Sequence, residues 1–590
     1  LRRVLVCTGA DGLGFCPRRR MLHERKRGAM LLGIDVGGTH TDAVVLDKGR
    51  VVAEAKVPTD HDNLLLSVRA ALAAVLRGVD PGAVRRMNLS TTLSTNAIVE
   101  GKTEEVGVLV AGGPGIDPEN HRVGGHFHVL GGSVDHRGTE VAPLDEAGLA
   151  RAVAAMQAAG VRVFAAVGKF STRNPAHEQA MARTLAAGGG ADHVTLGHSL
   201  SGVLNFPRRI ATAYFNSAVW RLYNDFAWAV QESVADFGLR AEINVLKADG
   251  GTMPLELSRA CPVQSILSGP AASVMGMIAL CDIRDDCVIL DVGGTTTDIA
   301  VFADGSPVIE EHGMSVGSYP TLVGALKVRS IGVGGDSALR VGPAGITVGP
   351  DRRGPALATC GQGAAGRPCA PALTDALNVT GACAFGDVEA SRRGLEELGA
   401  PWGLSASELA RRAVDAAVAA ILTAARDLVD EINDKPVYTI RELLGGRQVR
   451  PVRHYVMGGP AQALAPLLAR ASGLDVRLPA HHAVANAIGA ALTRTTLDAE
   501  LFADTHKGRM LIPALGVDRA VPRTYTREQA EADARQALAA HIRTLGADLD
   551  GAEPEIIESG AFNMVEGSRT LGRTIRVKCQ VRPGITRRAR

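Results

Sequence analysis

DVGGTHTDAVVLDKG, running from Asp35 to Gly49, returns as DVGGTTTDIAVFADG, from Asp291 to Gly305, 256 residues further on and with 9 of 15 positions identical. A repeated supersecondary unit constrains architecture before any local reading is made. Each copy follows an apolar run, Met30 to Ile34 or Cys287 to Leu290, and precedes a β-rich one, Ala43 to Leu46 or Ile299 to Phe302. Each therefore reads as strand, glycine turn, strand, a hairpin with Gly-Gly at the bend. A second turn, Lys48-Gly49 or Asp304-Gly305, leads to a third strand at 51–57 and at 307–311. Two copies of a three-strand meander predict two related domains facing one another.

Outward from the repeat the pattern alternates helix and strand. Leu64, Leu65, Val68, Leu72 and Val75 follow a helical period within Asp62 to Arg77, and Asp145 to Ala159 does the same. Arg162 to Val167 is an apolar strand, Asn174-Pro175 opens a helix over His177 to Ala187, and Pro207 to Phe237 is one long helical region. Residues 341–400, rich in Gly, Pro and Ala, read as irregular loop. Helix returns at Ser405 to Asn433, then the strand His454 to Met457, a glycine turn and the helix Ala461 to Ala471. The tail combines a charged helix, Thr526 to Leu545, with strands at Glu555 to Ile557 and Thr574 to Val581. The expected division is a basic extension at 1–29, a first domain at 30–205, a second at 206–500, and a small α+β domain at 501–590.

The glycine hairpins carry a specific chemistry. Gly37-Gly38 and Gly293-Gly294 allow a tight bend that brings bare N–H groups against an anion. Thr39, Thr41, Thr295, Thr296 and Thr297 add hydroxyl donors. Asp35, Asp42, Asp291 and Asp298 cannot bind phosphate directly, so their expected place is on a hydrated Mg²⁺, for which Asp35 and Asp291 are the candidate ligands, or on the attacking water or hydroxyl. The two hairpins would then grip one polyphosphate from opposite sides. A plain tight β-turn accounts for a single Asp-x-Gly-Gly; the duplication of both aspartates argues for function. No GKS or GKT is present and the turn leads to a strand, which excludes a P-loop.

Composition narrows the rest. Of 590 residues, 46% are apolar and 21% charged, an ordinary globular balance with several cores' worth of aliphatic surface. The net charge of +2 hides an asymmetry: eight basic side chains against two acidic ones in residues 1–29 leave 56 basic and 60 acidic in the remainder. That body implies no nucleic-acid surface. Residues 1–29 lack a secretory apolar core and read as translated upstream sequence ahead of Met30 or Met21, or else as a short basic targeting arm. Nine cysteines without a CxxC pair argue against a disulfide framework or cysteine zinc site and for a reducing, cytoplasmic compartment. The longest uncharged run, Ala260 to Cys281, contains Pro262, Gln264 and Gly269-Pro270 and reads as buried chain rather than a membrane span.

A third glycine element, Tyr455 to Ala461, ends a strand in Gly458-Gly459, a turn suited to lie against an adenosine. In the order phosphate loop, phosphate loop, adenosine turn, the chain resembles the actin, heat-shock and sugar-kinase superfamily. The implied fold is α/β, with duplicated actin-like (ribonuclease H-like) ATPase domains facing an interdomain nucleotide cleft. More closely, GIDVGGTHTDAVVLD, LSTTLSTNAIVEGK (Leu89 to Lys102), FSTRNPAHE (Phe170 to Glu178), ILSGPAASVMG (Ile266 to Gly276), ILDVGGTTTDIAVF and IGVGGDS (Ile331 to Ser337) resemble the hydantoinase A and 5-oxoprolinase family, which includes the acetone carboxylase β subunit.

That resemblance implies ATP and Mg²⁺, a small cyclic amide substrate whose ring oxygen takes the γ-phosphate before hydrolysis, a separate B-type subunit, and an oligomer. It places Gly334 and Gly335 with the nucleotide loops and Thr91, Thr92, Thr95 and Asn96 beside the cleft as substrate candidates, although helix capping explains half of these. The loop at 332–337 and the segment 341–400 depart from the family, which leaves the substrate open. Alternatives are a subunit phosphorylating a ketone or bicarbonate, and a non-catalytic nucleotide-gated activator. Asn174 with Glu178 reads as a helix start, Asp249-Gly250-Gly251 and Ser268-Gly269-Pro270 as turns bordering the cleft, and His126, His128, His481 and His482 as ordinary histidines.

Overall fold

The structure, a computed structural model, describes residues 30–60, 63–310, 312–343, 345–360, 368–434, 448–546 and 551–590. The expectations for residues 1–29, with Cys7 and Cys16, lie outside that set. Both predicted hairpins form. Met30–Val36 pairs antiparallel with His40–Asp47, and Cys287–Val292 with Thr297–Ala303. Each first strand also pairs parallel with a later one, Val84–Thr91 in the first sheet and Arg453–Met457 in the second. The duplication thus extends from the turn to the sheet.

The third strands differ. Arg50–Pro58 completes the first meander along its full length. In the second, Ser306–Pro307 pairs only with the end of Thr297–Ala303, and Val328–Ile331 takes the remaining edge from Thr297 to Ala300. Pro307 has no N–H to donate into a ladder, which favours ending the strand there.

The first sheet runs in the order Thr252–Pro254, Glu242–Leu246, Val84–Thr91, Met30–Val36, His40–Asp47, Arg50–Pro58. It therefore draws strands from both sides of residue 205. A separate parallel sheet (His193–Leu196, Val163–Gly168, Val106–Ala111, His126–Leu130) is inserted between its strands and covered by helices on both faces. The region read as one helix over 207–237 breaks at Val219 into Phe206–Ala218 and Trp220–Asp236. The C-terminal domain is an antiparallel five-stranded sheet packed on the helix Arg527–Thr544, whose Ala530, Ala534, Leu538 and Ile542 are fully buried.

Two expectations are corrected. Residues 341–400 are not irregular throughout: Leu373–Val379 and Val388–Gly399 are helices packed on the long helix Ala406–Asn433. The organiser is Asp375, fully buried, which accepts from Leu357 N at 3.0 Å, Ala358 N at 2.9 Å, Ala372 N at 2.9 Å and Ser391 Oγ at 2.7 Å. One carboxylate thereby ties loop to helices, a cue that composition hides. Cys360 and Cys369 are paired as a disulfide, against the expectation of reduced cysteines. Their Cα atoms lie 5.9 Å apart, a proximity that an odd cysteine count does not reveal. No helix among the described residues is long and apolar enough to cross a membrane.

Candidate functional site

Register brings the four repeat aspartates together. Asp35 lies opposite Asp42 across the first hairpin and beside Ser90 on the parallel neighbour. Asp291 lies opposite Asp298 and beside Met457 in the same way. Both sites are at the carboxyl ends of parallel strands, where open α/β sheets place ligands.

The two halves are joined by the short helix Ala485–Leu492. Three close backbone approaches let it nest between the first sheet and the helix Ser268–Leu280. A Cβ on Gly33 would collide with Ala487 O, one on Gly276 with Ala485 O, and one on Gly489 with Ala272 O. Small residues at these positions are thus a packing requirement. The result is that Asn486 sits between the repeats: its Nδ2 donates to Asp35 Oδ2 at 3.3 Å and to Asp291 Oδ2 at 3.1 Å.

Other partners were equally absent from the motif reading. Ser273 Oγ donates to Asp291 Oδ2 at 2.6 Å. Lys56 Nζ holds both carboxylate oxygens of Asp42, at 2.7 and 2.9 Å, and also the carbonyl of Ala483 at 3.1 Å. Ser330 Oγ donates to Asp298 Oδ1 at 2.5 Å. The only sequence signals for these were a lysine four residues before Asp60 in the third strand, a serine inside SGPAAS, and an asparagine opening an alanine-rich helix.

Crowding sets the electrostatics. Burial is the main cause that raises all four carboxyls, Asp35 and Asp298 to about 7 and Asp42 and Asp291 upward. Neighbouring carboxylates add to the rise at Asp35, Asp42 and Asp298. Ser90 and Asn486 at Asp35, Lys56 at Asp42, and Ser273 and Asn486 at Asp291 act in the opposite sense. Asp35 Oδ1 is buried with no hydrogen-bond partner.

The hairpin tips touch. A Cβ on Gly38 would come within 3.6 Å of Thr295 Oγ1, and one on Gly294 would collide with Thr39 Oγ1. The hydroxyls of Thr39, Thr295 and Thr296 make no hydrogen bond among the described residues, whereas those of Thr41 and Thr297 are spent on Thr59 and on Val333 O. Gly334 and Gly335 brace the second hairpin: Gly335 N donates to Gly293 O at 3.0 Å, Asp336 N to Gly294 O at 2.6 Å, and Gly334 N to Ser337 Oγ at 2.8 Å. Gly458, at φ +95°, lies so close to Val292 that a Cβ would strike its carbonyl, while beside Gly459 the space is open.

The Thr91–Asn96 segment packs against the start of the Ser268–Leu280 helix. Ser268 Oγ donates to Thr91 O at 3.0 Å, and Leu267 N to Thr95 Oγ1 at 2.9 Å. Thr91 Oγ1 accepts from Leu93 N at 3.2 Å, and Asn96 Nδ2 donates to Thr92 Oγ1 at 3.3 Å. Ser268-Gly269-Pro270 is accordingly the first turn of a helix, entered through Leu267 at φ +58°, and not a free glycine turn. Asp249 closes its own turn, accepting from Gly251 N and Lys247 Nζ, each at 2.8 Å. Glu178 does more than begin a helix: fully buried, it accepts from Gly168 N at 2.7 Å and from His198 N at 2.9 Å.

Two repeated α/β halves meeting at paired Asp-Val-Gly-Gly hairpins define an actin-like ATPase-type architecture. Over most of its length the chain superposes on the nucleotide-free structure of acetone carboxylase, with a TM-score of 0.69, 17% identity, and coverage of 95% of this chain and 88% of that one. The chain belongs to the hydantoinase/oxoprolinase family: its N-terminal-region model matches residues 31–188 and its main model residues 209–499. Among relatives, the caprolactamase subunit alpha of Pseudomonas jessenii is 27% identical over 389 residues, covering 60% of this chain and 55% of that protein. The acetophenone carboxylase gamma subunit of Aromatoleum aromaticum is 25% identical over 371 residues, covering 55% and 49%. The chain spans about half the length of these curated relatives.

Proposed function

We propose that this chain is the ATP-using subunit of an enzyme that opens a small cyclic amide, a lactam or hydantoin, by phosphorylating the ring amide oxygen before hydrolysis. The observation that carries the reading is the bridge of Asn486 between Asp35 and Asp291, which ties one aspartate from each repeat into a single buried site. An unstrained lactam is a poor electrophile. Transfer of the γ-phosphoryl group to its oxygen, with loss of ADP, leaves a ring carbon that water attacks readily, releasing phosphate as the ring opens.

The residues fit a divalent cation. Carboxylate, amide and hydroxyl oxygens are hard donors, and the unsatisfied Asp35 Oδ1 is an acceptor in need of a partner. Among the described residues no three acidic, histidine or cysteine side chains form a closed metal cage. That suits Mg²⁺, which keeps waters and phosphate oxygens and takes only one or two carboxylates. Asp35 and Asp291 would hold it, and it would neutralise charge on the transferring phosphoryl group. Thr39, Thr295 and Thr296 donate to phosphate oxygens when the hairpin tips part, and Gly458-Gly459 borders the adenosine. Asp298 or Asp42 orients the acceptor. Thr92 and Asn96, which bond to each other and, through the Thr92 hydroxyl, to Val36 O at the end of the first strand, face the ring.

Subunits of carboxylases among the relatives favour a second reading, phosphorylation of a ketone or bicarbonate. Phosphate release by the full chain, supplied with any B-type partner, distinguishes the two. Stimulation by lactams or hydantoins supports the first reading, stimulation by ketone plus bicarbonate the second, and no nucleotide turnover with either set overturns both.

A further inference from the structure

The site has an excess of negative charge and two cations that the repeat does not contain. Lys56 comes from the third strand of the first meander and is bound to Asp42. Arg352 comes from the other half, on the loop after the strand Gly345–Val348. Its Nη2 donates to Asp336 Oδ2 at 2.9 Å, and its buried Nε has no partner.

Arg352 is held at the hairpin tips by a short chain of contacts. The neighbouring Asp351 accepts at its carbonyl from Ala338 N at 2.9 Å, and Asp336 N donates to Gly294 O at 2.6 Å. Gly294 in turn packs on Thr39 of the first hairpin, next to His40. After burial, Lys56 and Arg352 are the two groups that press the His40 imidazolium below its ordinary range, as expected if both cations face it from opposite halves. Each cation is now paired with a carboxylate, with which a bound phosphate would compete for it.

We propose that Arg352 and Lys56 are the terminal-phosphate ligands of this chain, one supplied by each half, and that phosphate takes over the hydrogen bonds now made to Asp336 and Asp42. The proposal rests on the ATP-binding reading above and adds to it the residues that separate triphosphate from diphosphate. The unpaired Nε favours Arg352 as the stronger discriminator, because a guanidinium presents a planar fork of donors and only one edge of it is engaged.

The test is isothermal titration of the full chain with Mg²⁺ and either ADP or AMP-PNP, in wild type, Arg352→Ala, Arg352→Lys and Lys56→Ala, with melting temperatures recorded for each. The expected result is that Arg352→Ala weakens AMP-PNP at least tenfold and ADP less than twofold, with Arg352→Lys recovering part of the difference. Lys56→Ala behaves likewise. Equal losses for both nucleotides, or no loss for either, overturn the proposal while leaving ATP binding intact. A wild type that binds neither nucleotide overturns the ATP reading itself. If Arg352→Ala does not fold, the comparison of Arg352→Lys with wild type carries the test, and an unchanged AMP-PNP to ADP ratio there counts against the proposal.

Discussion

Replacing Asp35 by Asn is predicted to stabilise the metal-free protein at pH 8 while abolishing its response to Mg²⁺ and nucleotide. The carboxyl is buried and raised from 3.8 to about 7, with burial the first cause. The native state therefore holds this proton more tightly than the unfolded chain does. The corresponding stability is fully present below about pH 4 and is lost as pH rises through about 7. A shift from 3.8 to about 7 corresponds to roughly 4 kcal/mol between the two protonation states. Asn mimics the neutral form and keeps an acceptor for Asn486, but its own amide hydrogens need partners, so about half of that, roughly 2 kcal/mol, is expected as net gain. For a domain of this class that is an upward shift of roughly 4 to 8 °C. Thermal melting in the presence of chelator checks it: the variant should exceed wild type at pH 8, and the difference should vanish near pH 4. With Mg²⁺ and AMP-PNP added, wild type should rise and the variant should not. A variant that melts at or below wild type at pH 8 without metal would refute the assignment of Asp35 as a buried carboxylate whose partners offset its burial only in part.

Three further outcomes follow from the geometry. Asn486→Ala removes the bridge between the repeats and should weaken Mg²⁺-dependent AMP-PNP binding about tenfold, by roughly 1.4 kcal/mol, while Asn486→Gln, which keeps the amide, should lose less; titration with and without Mg²⁺ reads the difference. Gly458→Ala forces a side chain into φ +95° and against Val292 O, so it should destabilise the second half by about 2 kcal/mol or more, visible as a lower melting temperature even in the absence of ligand. Glu178→Ala leaves buried N–H groups at Gly168 and His198 unpaired and should cost about 3 kcal/mol, read by denaturant unfolding of the full chain.

The parts of the fold legible in the sequence were those written in backbone chemistry. A strand that ends in Asp-Val-Gly-Gly and resumes as Thr-x-Thr-Asp has few conformations available, and its recurrence at Asp291 told that the sheet itself was duplicated. The helices with a clear apolar period, such as Ala406–Asn433 with Leu409, Ala413, Ala417, Ile421 and Leu428 inward, were legible for the same reason. What stayed hidden depends on residues that act at a distance. Asp375 organises a Gly- and Pro-rich segment into two helices from inside, yet in sequence it is one acid among 62 acidic residues, with no periodicity to mark it. The third strand of the second meander, expected at 307–311, is cut short because the competing strand, Val328–Ile331, lies well downstream.

The candidate site divides in the same way, and the division says what kind of site it is. Its aspartates belong to the repeat and are related by the repeat's symmetry, so each half alone supplies an equivalent pair. The groups that neutralise and connect them break that symmetry: Lys56 is hydrogen-bonded to Asp42 alone among the four, Ser273 and Ser330 serve only the second half, and Asn486 stands once between the two. A symmetric pair of carboxylate clusters is electrostatically unfavourable in a buried seam and would be expected to spring apart unless something asymmetric held it. Asn486 does so with a neutral amide, and its helix is seated by Gly33, Gly276 and Gly489, all of which reject a Cβ. The seating of the Ala485–Leu492 helix and the Asn486 bridge are therefore linked, because both Asn486 hydrogen bonds depend on where that helix sits. A single enlarged side chain at Gly489, which would strike Ala272 O, is accordingly expected to displace Asn486 and weaken Mg²⁺-dependent AMP-PNP binding as Asn486→Ala does, without touching any aspartate, and titration checks it.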